Sequence, residues 1–270
     1  MQLAMFRRVA AGGAVAALTF AGVGAATMSP AYAASSKVSV VHGIPDTPVD
    51  VYVNGKKTLD NFKPGDVAGP LTLPEGEYDI ALTKPGEAID KAILKVDDAE
   101  VPGGANISLA AHLSADGKPQ ITPFVNDVSK VGAGKARLIV RHTAAAPAVD
   151  VRAGGKPVFE GLTNPKEAKA DVAAGSVKAD VVLAGTDTVA IGPADLNLKE
   201  GTATIVYAIG SADAKNLDLV AQTISGLHSA PGGVPSGTSA GSWPRSAQSF
   251  SYASMVVRCS ASASAARPLV

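Results

Sequence analysis

The chain has 270 residues and balanced formal charge, with 24 lysine and arginine residues against 24 aspartate and glutamate residues. No lysine- or arginine-rich block occurs, so electrostatics give no reason to expect a nucleic-acid partner. The single cysteine, Cys259, excludes an intrachain disulfide and a thiolate metal site. With 28 glycine and 18 proline residues, the composition favours many turns and few helices.

Residues 1–33 have the pattern of a cleavable signal peptide. Arg7-Arg8 forms a basic start, a small apolar stretch follows, and Ala31-Tyr32-Ala33 has the small-x-small pattern that signal peptidases cut. We therefore predict cleavage between Ala33 and Ala34 and export of the mature chain. An uncleaved membrane anchor is the alternative, but the apolar run is rich in alanine and glycine, which argues against it.

The mature chain repeats itself at a spacing of about 100 residues. The run Val41-His42, followed by Val49-Asp50-Val51, corresponds to Arg141-His142, followed by Val149-Asp150-Val151. The register holds across most of the repeat, so internal duplication explains it better than coincidence. We therefore expect two copies of one small domain.

Within each copy, apolar residues recur at every second position, which predicts half-buried β-strands. In copy one, Val49, Val51 and Val53 share one face of a strand that ends at Asn54-Gly55. That pair predicts a tight hairpin because both residues accept positive φ, and Gly154-Gly155 meets the same demand in copy two.

About seven short strands in each copy, punctuated by glycine and proline, predict a β-sandwich. A strand with one apolar face must hide it, and a second sheet of the same kind can do so. The fold class is thus all-β, with two tandem β-sandwich domains. The predicted boundaries are a signal peptide at 1–33, sandwiches at 37–127 and 136–224, a linker with the composition of a flexible joint at 128–135, and a low-complexity, disordered tail at 225–270.

Copy one resembles a known family through three stretches of sequence, namely Ser39 to His42, Pro45 to Lys56 and Leu71 to Tyr78. These stretches resemble the secreted bacterial family called domain of unknown function 4397. Copy two follows the pattern more loosely, since it lacks the proline-aspartate pair after His142. The resemblance implies an exported, immunoglobulin-like β domain, often in tandem and often on the cell surface, and it implies no reaction.

His42 and His142, which precede Asp50 and Asp150 by eight residues each, are the most prominent candidate site residues. A recurring histidine and carboxylate could bind a metal or serve a secreted hydrolase, which is the leading enzymatic alternative. Two ligands are too few for a metal site. We favour a structural interpretation, in which each histidine ends its strand and hydrogen-bonds a loop carbonyl, while each aspartate faces solvent or anchors a turn.

Two further polar positions of copy one are candidate contact residues. Asp46 lies in a proline-rich loop, but the pattern of a calcium-binding loop is absent. Tyr52 is predicted to face away from the core and could present its ring to a sugar, which keeps a cell-wall carbohydrate-binding protein as an alternative. We expect loops 43–48 and 143–147 to emerge at equivalent ends of the two domains as contact surfaces.

The tail carries a serine motif but no periodic pattern. Gly237-Thr238-Ser239-Ala240-Gly241 fits the letters of the G-x-S-x-G hydrolase elbow, but no strand and helix are predicted around it. No apolar run there is long enough to span a membrane. The abrupt change in composition suggests a surface stalk whose anchor was lost because the remainder is read out of frame, and a disordered terminus is the alternative.

These observations predict a secreted or cell-surface, non-catalytic protein that acts as a binding, adhesion or structural spacer module. Its partner would be an extracellular or cell-wall ligand. We expect no cofactor, no metal, no nucleic-acid partner and no spanning helix after the leader is removed.

Overall fold

The structure is a computed structural model in which residues 34–229 are described. The predicted signal peptide, with Ala33, and most of the predicted tail lie outside this range. Residues 34–229 contain sixteen β-strands and one short 3-10 helix at Ile89–Lys91, which confirms the all-β prediction. Within the same range, no helix reaches the length and hydrophobicity that a membrane span requires.

The strands fall into two successive groups of eight. The first group comprises β1 Ser35–His42, β2 Val49–Val53, β3 Lys56–Phe62, β4 Val67–Pro74, β5 Gly76–Thr83, β6 Leu94–Val101, β7 Asn106–Leu113 and β8 Pro119–Val125. The second group comprises β9 Lys135–His142, β10 Val149–Ala153, β11 Lys156–Leu162, β12 Glu167–Ala173, β13 Gly175–Leu183, β14 Val189–Leu198, β15 Ala203–Ile209 and β16 Asp218–Ile224.

Each group of eight strands builds two four-stranded sheets, and the strand order of the first group recurs in the second. The first group has the orders β4-β1-β7-β8 and β3-β2-β5-β6, and the second has β12-β9-β15-β16 and β11-β10-β13-β14. Two sandwich-like units result, as predicted, and we call them the first and the second sandwich.

A parallel pair of strands lies at the centre of one sheet in each sandwich. Strand β1 pairs with β7, and β9 pairs with β15, both in parallel. The other pairings are antiparallel. A period-two pattern predicts which residues share a face, but it does not reveal which strands pair, so this long-range pairing was not predicted from the sequence.

The tight hairpins are present at the predicted positions. The backbone φ is 48° at Asn54 and 75° at Gly55, and it is 58° at Gly154 and 75° at Gly155. Positive φ at both central residues defines the type I′ turn, which matches the right-handed twist of the flanking strands. These turns fix the register of β2 with β3 and of β10 with β11.

Each sandwich has its own apolar core between its two sheets. Val49, Val51 and Leu82 belong to the core of the first sandwich. Val149, Val151 and Val181 occupy the equivalent positions in the second. Alternating apolar side chains therefore point between the sheets, as the pattern predicts.

A further apolar cluster lies between the two sandwiches. Val41, Ala110 and Phe124 of the first sandwich pack there against residues that include Ile205 and Tyr207 of the second. The two sheets that contain β1 and β9 are consequently covered on both faces, and every residue of β15 is buried. Residues 34–229 accordingly lie in one compact unit of the chain.

The segment between β8 and β9 is anchored to the second sandwich. Val131 is only 1% exposed, and its backbone N–H donates to the carbonyl of Leu227 at 2.7 Å. Its carbonyl accepts from the N–H of Ser229 at 3.1 Å. The predicted domain boundaries stay a prediction, but the middle of the predicted linker is packed and hydrogen-bonded.

Candidate functional site

The two repeated histidines end β1 and β9 and are buried. The Nε2 atom of His42 lies 2.8 Å from the carbonyl oxygen of Thr47, and that of His142 lies 2.9 Å from the carbonyl oxygen of Pro147. A carbonyl oxygen can only accept, so Nε2–H is the donor in both rings. These are the loop-carbonyl bonds that the structural interpretation predicts.

Burial sets the protonation of these histidines. It lowers the pKa of His42 and His142 below the ordinary value of 6.5, although the hydrogen bonds to the carbonyls act in the opposite direction. The Nδ1 atom of each ring is buried without a hydrogen-bond partner among residues 34–229. A proton added there would be a charge without compensation, so both rings are neutral near pH 7.

A third buried histidine, His112 of β7, was not singled out by the sequence. Its Nδ1 lies 2.8 Å from the carbonyl oxygen of Leu113, and its Nε2 lies 2.8 Å from the hydroxyl of Thr122. Burial lowers the pKa of His112 as well. His112 has no counterpart in the second copy, so the sequence provided no reason to single it out. Its protonation depends on burial, which only the folded structure shows.

Asp50 binds the end of β3 and the turn after β5 on the outer face of the first sandwich. Its carboxylate accepts hydrogen bonds from the backbone N–H of Asn61 at 2.8 Å and of Gly86 at 2.9 Å, and from the ammonium group of Lys57. Burial alone would raise the pKa of Asp50, but these three donors outweigh it and lower the pKa to about 2. The carboxylate is thus ionised and fully occupied.

Asp150 binds backbone groups of the second sandwich in the same way, but it accepts from one hydrogen-bond donor fewer. It accepts from the backbone N–H of Gly161 at 2.7 Å and of Gly185 at 2.9 Å. The bond from Gly161, followed by that from Gly185, lowers the pKa of Asp150. Pro157 stands at the position of Lys57, so the ammonium partner is missing.

The structure does not bring His42 and Asp50 together. The ring of His42 stacks on that of Phe62 with 5.6 Å between centroids, inside the first sandwich. Phe62 is opposite Val49 in the register, and Asp50, the next residue of that strand, faces the other side of the sheet. The pair considered for a hydrolase therefore shares no site. Residues 34–229 also contain no cluster of three histidine, cysteine or acidic side chains that could hold a metal.

The other two predicted contact residues make contacts within the chain. Asp46 is exposed and accepts a hydrogen bond from the side-chain amide of Asn216 at 3.1 Å, which links loops of the two sandwiches. Tyr52 is half-buried, and its hydroxyl donates to the carbonyl of Glu87 at 3.1 Å. The ammonium group of Lys57 lies 5.8 Å from the centre of the tyrosine ring.

The two loops expected to be contact surfaces are covered in part by the chain itself. In loop 43–48, a Cβ added at Gly43 would lie 2.8 Å from the side chain of Ile209, so the loop closely approaches β15 of the second sandwich. In loop 143–147, Thr143 and Ala144 are fully buried. Asp46 and Pro147 are exposed, and the expectation that these loops form contact surfaces stays a prediction.

A buried charged network occupies the boundary between the sandwiches. Arg141 has no exposed side-chain surface, and its Nε donates to Glu167 at 2.9 Å. Its two terminal nitrogens donate to the hydroxyl of Tyr207 at 2.7 Å and to the side-chain oxygen of Asn126 at 2.8 Å. The guanidinium carbon lies 4.3 Å from the centre of the Phe124 ring. Arg141 of the second sandwich is therefore held by groups from both halves of the chain.

The network continues through neutral side chains. The hydroxyl of Tyr207 donates to the side-chain oxygen of Gln222 at 2.8 Å, and the hydroxyl of Ser108 in β7 donates to the same oxygen at 2.8 Å. Burial raises the pKa of Tyr207, so the phenol keeps the proton that it donates. A continuous chain of hydrogen bonds thus joins the two sandwiches.

A cluster of ion pairs lies at one edge of the boundary between the two sandwiches. Arg137 binds both carboxylate oxygens of Asp171, at 2.8 and 3.1 Å, and also donates to Asp127 at 2.9 Å. Lys169 pairs with the second oxygen of Asp127 at 2.8 Å. The hydrogen bonds that Asp127 accepts lower its pKa; the bond from Lys169 has the largest effect, followed by that from Ser129. Residues that follow β8 are thereby fixed on β9 and β12.

The sequence did not predict this boundary. Its pattern placed Arg137 and Arg141 on the polar face of β9, where a solvent-exposed surface is the ordinary expectation. One available signal was β15, whose apolar side chains continue on both faces of the strand. Such a strand has no face suited to water, so a second packing partner was implied.

The comparisons with known proteins match part of the chain. The model of a family described as Domain of unknown function (DUF4397) matches residues 36–152, which include the first sandwich and strands β9 and β10. The resemblance inferred from copy one is thus confirmed over that range. A comparison with curated proteins found no match. The family description carries no activity.

Replacing Asp50 with alanine should lower the free energy of unfolding by about 2–4 kcal/mol, because two backbone donors and one ammonium group lose their acceptor. Asp60→Ala is the matched control. Asp60 pairs with the same Lys57, but its side chain is 75% exposed, so its loss should be much smaller. Urea unfolding of both variants checks this, and equal losses would contradict the anchoring role.

Acid should destabilise the fold below pH 6.5. In that range the unfolded chain binds protons on His42, His112 and His142 that the folded chain does not, so stability is highest above pH 6.5 and falls toward the lowered pKa values. Each histidine contributes at most about 1.4 kcal/mol per pH unit. Urea unfolding between about pH 7.5 and about pH 5.5 measures the slope.

His142→Gln should reduce that slope because it removes one of the titrating rings. The unmodified protein, measured over the same pH range, supplies the reference slope. An unchanged slope in His142→Gln would rule out a buried, neutral histidine at this position.

Arg141→Ala should lower the free energy of unfolding by about 3 kcal/mol, because Glu167, Tyr207 and Asn126 lose a buried partner. Because this substitution weakens the contact between the two sandwiches, we expect them to unfold separately. Calorimetry should then resolve two thermal transitions where the unmodified protein has one. Arg152→Ala is the control, since Arg152 pairs with Asp180 and Asp187 away from the boundary, and it should keep a single transition. A single, equally stable transition in both variants would show that Arg141 does not couple the sandwiches.

Proposed function

We propose that this is an exported or cell-surface, non-catalytic protein whose two sandwiches act as one rigid binding or spacer module. The observation that carries the proposal is the buried network around Arg141, which joins the sandwiches through charged, polar and apolar contacts. Domains on one chain usually move relative to each other unless their interface is large and apolar. A module that must hold a ligand or a fixed spacing gains from such an interface.

The fates of the repeated polar residues support a non-catalytic role. His42 and His142 each bind a loop carbonyl, and Asp50 and Asp150 each bind backbone N–H groups. These bonds do the same structural work in both sandwiches. The hydrolase alternative draws no support from His42 and Asp50, which lie on strands of different sheets and share no site.

The carbohydrate-binding alternative depended on Tyr52, and it is not favoured by the contacts of that residue. Its hydroxyl binds Glu87 and its ring lies beside Lys57, so much of its hydrogen-bonding capacity serves the first sandwich. Sugar-binding platforms need an aromatic face that a ligand can reach. We therefore keep the general binding or spacer role as the proposal.

Export and family organisation form the second half of the proposal. The pattern of residues 1–33 supports a leader that is cleaved before Ala34. The match over residues 36–152, together with the recurring strand order, supports two tandem, immunoglobulin-like copies of the family domain.

Expression of the whole chain in a bacterium, followed by fractionation and N-terminal sequencing, tests export. We expect a processed protein that begins at Ala34, found in the medium or on the cell surface, because Ala31-Tyr32-Ala33 suits signal peptidase. Replacing Ala31 and Ala33 together with leucine should block processing. An unprocessed protein in the cytoplasm of the unmodified strain would overturn the proposal. Retention on purified cell-wall polymers would then separate a wall-binding role from a released one.

A further inference from the structure

The second sandwich has an apolar cavity of about 320 Å³ between its two sheets. The cavity opens at the end of the sandwich where β12 turns into β13. Residues of both sheets line it, among them Leu138, Ala153, Val158, Val172, Val177 and Leu198. Ligand sites in proteins typically begin near this volume and have mostly apolar walls.

At this end of the second sandwich, a smaller side chain stands where the first sandwich has a tyrosine. Val177 occupies the position that Tyr78 has in the first sandwich, two residues after the glycine that begins each strand. Tyr78 packs there against the cluster of Val38, Val101 and Ile107, and its hydroxyl donates to the carbonyl of Pro74 at 2.9 Å. Valine has neither the ring nor the hydroxyl.

Two more positions of the cavity wall follow the same trend, with Ala153 in place of Val53 and Val172 in place of Leu73, and Ala179 beside them replaces Ile80. Two other wall positions are larger in the second sandwich, with Leu138 in place of Val38 and Leu198 in place of Val101. A well-packed core leaves few voids, so a space that these two leucines do not fill favours a cavity with a use.

The chemistry of the walls indicates an uncharged, hydrocarbon-like occupant. The lining contains no charged side chain, and Ser176 supplies its one side-chain hydroxyl. At roughly 30 Å³ for each group the size of a water molecule or a methylene, the cavity holds about ten of them. That capacity suits a medium-length alkyl chain.

An exposed cation, Lys156, lies beside the cavity on the same face of its sheet as one of the lining residues. Lys156 is directly opposite Ala153 in the register of β10 with β11, and residues directly opposite each other share a face. Ala153 lines the cavity, and Lys156 is exposed. A ligand with an apolar body and a negative head would therefore meet complementary walls and a complementary charge.

We propose that this cavity binds the alkyl chain of a medium-chain carboxylic acid, whose carboxylate pairs with the ammonium group of Lys156. The inference deepens the proposed function and rests on it, because it gives the binding module a ligand class. The first sandwich has the equivalent Lys56, but Tyr78 fills the space behind it, so one site per chain is expected.

Calorimetric titration of the purified, full-length processed protein with decanoate tests the proposal. We expect saturable binding with one site per chain. Val177→Tyr, which copies Tyr78, should abolish detectable binding while the melting temperature stays unchanged or rises. Lys156→Gln should weaken binding about fivefold, and Lys56→Gln, its matched control in the first sandwich, should leave affinity unchanged.

Three outcomes would overturn the proposal. Absence of binding at millimolar decanoate would show that the cavity does not bind medium-chain carboxylic acids. Undiminished binding by folded Val177→Tyr would show that the ligand binds elsewhere on the protein. Equal affinity for decanoate and its methyl ester would remove the carboxylate and Lys156 from the site. Because the titration uses purified protein, it gives its answer whether or not the fractionation experiment finds export, so the two failures are distinguishable.

Discussion

Arg141 carries a full charge without exposed side-chain surface, and the arrangement of the two sandwiches depends on how that charge is compensated. One carboxylate, one phenol and one amide accept its hydrogen bonds, and an aromatic face covers it. Removing water from an ion is costly, and only close, complete pairing offsets that cost. Since the pairing groups come from both halves of the chain, the network is satisfied only when the sandwiches are in contact, which makes their mutual orientation a condition of stability.

Comparison of equivalent positions separates what the two sandwiches share from what distinguishes them. The histidine at the end of the first strand and the aspartate in the second make the same kinds of bond in both. Equivalent positions that carry different residues have different structural roles. Val41 contributes an apolar surface where Arg141 contributes a charge, and Tyr78 fills a space that Val177 leaves open. The two sandwiches therefore share a common frame, and the differences lie at the shared boundary and at the open end of the second sandwich.

The alternating pattern was sufficient to predict the strands, the tight hairpins at Asn54-Gly55 and Gly154-Gly155, and the pairing of sheets face to face, because these depend on local backbone preference and on which residues are apolar. The boundary between sandwiches was not predictable in the same way. Arg141 in an alternating strand indicates a solvent-exposed face, and only the tertiary contact buries it. The role of Asp50 was open for a related reason, since its partners Asn61 and Gly86 are backbone donors that only the folded chain brings close to it.

The central position of β1 limits where the chain can be shortened. In the order β4-β1-β7-β8, this strand connects an edge strand to the rest of its sheet, and the residue just before it is also bound, since the carbonyl of Ala34 accepts from the N–H of Glu75. A protease that trimmed even part of Ser35–His42 would leave β4 without its neighbour and expose two unpaired strand edges, which are surfaces prone to aggregation. A truncation that reaches into β1 therefore removes a central strand and disrupts the whole sheet.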